Sequence, residues 1–73
     1  MKVWIISDNE LGIPYEVFDS AEKARDKMLQ LVNYPLYRKE YVKECISAIQ
    51  EGFERNPDEY GTDDYYVSAC EIH

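Results

Sequence analysis

The sequence predicts an α+β fold of order ββααβ: a three-stranded, mainly antiparallel sheet with two helices on one face. Three observations carry this expectation. β-Branched and aromatic residues concentrate in three short runs, at 2–7, 15–18 and 64–72. Between the second and third runs, apolar residues recur at a three-to-four spacing, the period of a helix with one buried side. Pro35 then divides that stretch into two helices. With 73 residues the chain makes one domain, 1–73.

The first strand is KVWIIS, residues 2–7. Its two stripes, Val3/Ile5 and Trp4/Ile6, are both apolar, whereas a strand with one wet face alternates apolar and polar. Asp8, Asn9, Gly12 and Pro14 mark a loop. YEVF, residues 15–18, reads as the second strand of a hairpin with a long connection. Asp19 followed by Glu22 matches a capping box at a helix start, with Ser20 as the other cap candidate. Ala21, Ala24, Met28, Leu31 and Val32 continue as a narrow apolar stripe. The second helix is expected from about Pro35 to Arg55, on the stripe Tyr37, Tyr41, Val42, Cys45, Ala48, Ile49 and Phe53. Gly52 weakens its last turn, and Asn56-Pro57 ends it. Asp58 to Thr62 reads as a turn, and DYYVSACEI, residues 64–72, as the final strand. Tyr65, Val67, Ala69 and Glu71 share one of its faces; Tyr66, Ser68, Cys70 and Ile72 share the other. Both are apolar enough to face the helices.

The net charge is −7, and it is segregated. Residues 1–19 carry −3, residues 20–43 carry +3 and residues 44–73 carry −7. Such an acidic chain is poorly suited to nonspecific nucleic-acid binding. The tyrosines and bases of YPLYRKEYVK, residues 34–43, share the helical apolar stripe and are better explained by packing. No apolar run approaches the ~20 residues of a membrane span. No signal peptide is evident, so a reducing cytoplasm is the expected location, with Cys45 and Cys70 as buried structural thiols.

The segments MKVWIIS, VFDSAEKA and YYVSACEI together resemble small uncharacterised proteins of bacteria, prophages and phages. Those proteins open on an M-K-V-aromatic strand, enter a helix through F-D-S-x-E-K-A and close on a strand. The resemblance covers roughly residues 1–28 and 65–72 and leaves out the second helix. It implies the ββααβ order and a bacterial or phage origin. It carries no activity and no functional residue.

Catalytic chemistry is sparse. His73 is the only histidine and the last residue, where a base lacks the packing that catalysis requires. Gly12, Gly52 and Gly61 are scattered and make no phosphate-cradling loop. Asp58, Glu59, Asp63 and Asp64 lack the spacing and terminal glutamate of a calcium loop. No cofactor, metal or catalytic residue is expected.

What the sequence does have is surplus apolar surface. Two helices cover one face of a small sheet and leave the second apolar stripe bare. Monomers rarely expose a large contiguous apolar patch. The expected protein is therefore a non-enzymatic interaction module that forms a homodimer, with a host protein as a further partner. Candidate contact residues are Trp4, Tyr15, Tyr60, Tyr65 and Tyr66, since Trp and Tyr often anchor interfaces. The competing expectation is an acidic DNA mimic that inhibits a nucleic-acid-binding protein. It requires Asp58, Glu59, Asp63 and Asp64 to form a phosphate-like row.

Overall fold

The computed structural model describes residues 1–72. The elements run β1 (Lys2–Asp8), β2 (Pro14–Phe18), α1 (Ala21–Val32), α2 (Lys39–Arg55), β3 (Glu59–Gly61) and β4 (Tyr65–Glu71). The class is α+β, as expected, with two helices and an antiparallel sheet. The sheet has four strands rather than three, in the order β2-β1-β4-β3. The additional strand, β3, lies within the segment read as a turn. Three residues of the type Glu-Tyr-Gly hold no strand pattern of their own. They become a strand because the Thr62–Tyr65 turn folds them back on β4, pairing Tyr60 with Val67. That turn is closed by the Thr62 N–H, which donates to the Tyr65 carbonyl at 2.7 Å.

The long β1–β4 pair is the spine of the sheet. It runs in unbroken register from Lys2 opposite Glu71 to Asp8 opposite Tyr65. Beyond it, the Ile72 N–H donates to the Met1 carbonyl. The β1–β2 hairpin carries an irregularity between Ile6 and Ser7. Its loop is organised by Asp8, whose Oδ1 accepts from the backbone N–H groups of Glu10 and Leu11 at 2.8 and 2.9 Å. Gly12 completes the turn with φ +69°, a conformation that L side chains rarely adopt.

Strand alternation assigns the faces. Ile6, Val67 and Tyr60 share a row across three strands, and they form one core with Ala24, Met28 and Val32 of α1 and Cys45 and Ile49 of α2. Both helices therefore cover the same face. Ile6, Met28, Val32, Ile49 and Val67 are fully buried, each worth about 1.5–3 kcal/mol relative to exposure. This settles the last strand: Tyr65, Val67 and Ala69 face the helices. In β1 the helix-facing stripe is Trp4/Ile6, which leaves Val3/Ile5 on the other side.

Two boundaries differ from expectation. The cap of α1 is Ser20, whose Oγ accepts from the Lys23 N–H at 3.1 Å. Asp19 stands one residue earlier and instead pairs with the Lys23 ammonium at 2.9 Å. The second helix begins at Lys39, four residues after Pro35. Pro35 sits in a turn closed by the Tyr37 N–H donating to the Tyr34 carbonyl. A proline suits the first turn of a helix and a tight turn alike. Among the described residues, no helix is long and apolar enough to cross a membrane.

Candidate functional site

The helix-covered side accounts for most of the polar residues singled out by sequence. Trp4 lies in the row Phe18–Trp4–Ala69, half-buried against the core. Its indole Nε1–H donates to Asp58 Oδ1 at 3.0 Å, and the Lys2 ammonium stands 5.6 Å from its ring centroid. Lys2 also pairs with Asp58. The hydrogen bond from Lys2, and then that from Trp4, hold the Asp58 carboxyl below the usual range. Trp4 and Asp58 thus lock β1 to the start of β3.

A second network closes the opposite end of the molecule. The hydroxyls of Tyr37 and Tyr41 both donate to Asp64 Oδ2, each at 3.0 Å. The rings of Tyr34, Tyr37 and Tyr41 meet edge to face in sequence, at 5.3 and 5.1 Å between centroids. The bond to Asp64 raises the Tyr41 pKa above the ordinary tyrosine value, and burial adds to it. For Tyr37, burial leads and Asp64 follows. Asn9 joins the same turn, its Nδ2 donating to the carbonyls of Thr62 and Asp63. Cys45 lies beneath, buried, and burial pushes its thiol pKa up, which suppresses the nucleophilic thiolate. This constellation holds the α1–α2 turn against the sheet.

The four carboxylates of the acidic segment are therefore unequal. Asp58 and Asp64 are bonded within the fold, while Glu59 and Asp63 are exposed. They do not stand together as a free row. The tyrosines divide as well. Tyr60, offered as a contact residue, is buried at 8% exposure beneath α2, where its ring meets Phe53 edge to face. Tyr65 faces the helices and stacks edge to face on Tyr15, 5.9 Å between centroids. Tyr15 itself is exposed. His73 lies outside the described residues.

The uncovered sheet face remains. The register places Val17, Ile5, Ser68 and Glu59 in one row across it, with Val3 beside Cys70 and Ser7 beside Tyr66 in the rows either side. Val17 is 55% exposed and Tyr66 38%, Ile5 is half-buried, and Val3 and Ser7 in the central strand are buried. Cys70 is exposed rather than buried, because no helix covers this side of β4. Glu59, at the margin, is the single charged side chain that the register of the paired residues puts on this face. The dual apolar character of β1 was the sequence signal for it. Which stripe would be left bare depended on the facing of β4, which periodicity alone does not resolve. Comparison with known families, curated proteins and solved structures finds no match for this chain.

Proposed function

We propose that this chain is a non-enzymatic protein-interaction module that self-associates as a homodimer through its uncovered sheet face. The observation that carries this reading is the composition of that face. Val17, Tyr66 and Cys70 are exposed and Ile5 and Ser68 half-buried, beside the buried Val3 and Ser7, with one carboxylate at the edge, on a chain of which 32% is charged. The net charge of −7 opposes close approach of two copies through their acidic segments; on this face two copies meet without opposing like charges at the centre.

Area supports the reading. A compact monomer of 8.6 kDa exposes about 4,700 Å². This chain exposes 5159 Å². The excess follows from its shape, 41 × 26 × 15 Å, a single sheet with one helical layer. Two such slabs packed sheet to sheet, about 10 Å apart, would enclose the face as a second core. The proposed setting is the cytoplasm of a bacterial or phage-infected cell, an origin suggested by the resemblance of the opening strand and helix start, and a host protein is a further candidate partner. Sedimentation equilibrium tests self-association, with Tyr66→Asp as the variant that puts a charge at the proposed contact.

A further inference from the structure

We propose that the free edge of β3, together with the overhanging side of α2, is a docking cleft for an extended, basic peptide segment of a partner protein. The cleft touches the uncovered sheet face only at Glu59, and it does not depend on self-association.

The backbone argument comes first. The Ala69 N–H donates to the Asp58 carbonyl, and the Thr62 N–H donates to the Tyr65 carbonyl. Residues 58 and 62 thus turn their polar groups toward β4. Antiparallel alternation turns those of Glu59 and Gly61 the other way. The Glu59 N–H is taken up by the Asn56 carbonyl at 3.2 Å. The Glu59 carbonyl and both polar groups of Gly61 remain directed outward. Among the described residues no strand lies beyond β3. An open edge of this kind accepts a further strand by main-chain hydrogen bonds.

The room for that strand is already shaped. Two hollows of about 300 and about 360 Å³ adjoin along the edge and share Ala48 and Gly61 as floor. Small residues at both positions keep the passage between them open. Glu44 and Glu51 stand on the α2 wall. The register puts Glu59 on the opposite side of the strand plane. An added strand therefore meets carboxylates on both its faces, against the single cation of Arg55.

Charge selects the occupant. A second copy pairing β3 with β3 would bring its own Asp58, Glu59 and Asp63 to an edge that is already acidic. A strand with Lys or Arg at alternate positions can turn that row toward Glu44 and Glu51 of α2, and its intervening apolar side chains then face the other side of the sheet.

The test is a titration of the whole chain with a short end-blocked peptide alternating lysine and valine, followed by amide NMR. Shifts are expected at Glu59, Gly61 and the Ala48–Gly52 turn, with slowed hydrogen exchange at the Gly61 amide. Added salt weakens the binding, and the double variant Glu44→Gln/Glu51→Gln weakens it about three- to tenfold. A peptide of the same charge with proline at its centre loses the Gly61 protection. Shifts spread over the whole acidic surface and unchanged by the proline would overturn the proposal. So would the absence of any response at β3.

Discussion

Gly52 of α2 lies directly against Tyr60 of β3: a Cβ placed on Gly52 would stand 2.6 Å from the Tyr60 Cβ. The glycine that weakens the last turn of the helix is what lets α2 settle onto the edge of the sheet. In an unconstrained helix, Gly→Ala gains about 1 kcal/mol. Here the added methyl meets the fixed root of a buried side chain, so overpacking of about 1–3 kcal/mol opposes that gain. Gly52→Ala is expected to lower the urea midpoint. A raised midpoint would mean that the helix does not approach β3 this closely.

The far end of Tyr60 makes a second prediction. Its hydroxyl is buried and finds no hydrogen-bond partner among the described residues. Burial pushes its pKa up to about 12. Leaving a buried donor unsatisfied costs about 1–3 kcal/mol. Tyr60→Phe keeps the ring against Phe53 and removes the orphan, so it is expected to raise stability at neutral pH in a denaturant titration. A loss of more than about 1 kcal/mol would show that the hydroxyl has a partner.

The Tyr37–Asp64–Tyr41 network makes the fold sensitive to alkali. Both phenols have pKa values raised above the ordinary tyrosine value of about 10. The folded chain keeps these protons where the unfolded chain releases them. The stability they contribute is complete below about pH 10 and falls as pH rises above it. Tyr41→Phe is expected to cost about 1 kcal/mol at neutral pH. It should also make the loss above pH 10 less steep, as read by circular dichroism against pH. An unchanged alkaline slope would assign the sensitivity to other groups.

These relationships separate what could be read along the chain from what could not. The β1 run and the alanine stripe of α1 are local signals, so strand and helix follow from residues that are neighbours in sequence. Ser20 and Asp19 both satisfy the rules for a cap, and the choice between them rests on backbone geometry. Pro35 fits both a helix start and a turn; the bonds of Tyr37 and Tyr41 to Asp64, 27 and 23 residues away, fit the turn. Strand β3 was missed because its order comes from β4, not from Glu-Tyr-Gly. Tyr60 and Tyr66 look alike in the sequence, yet one is buried under Gly52 and the other lies on the bare face. Only the pairing register tells them apart.

That bare face is the centre of the functional reading. Sedimentation equilibrium at micromolar protein, on the unmodified chain and on Tyr66→Asp, tests it most directly. The expected result is twice the 8.6 kDa chain mass for the unmodified protein, and the monomer mass for the variant with its circular dichroism spectrum unchanged. A unmodified chain that sediments as a monomer, or a variant that dimerises equally well, would contradict it.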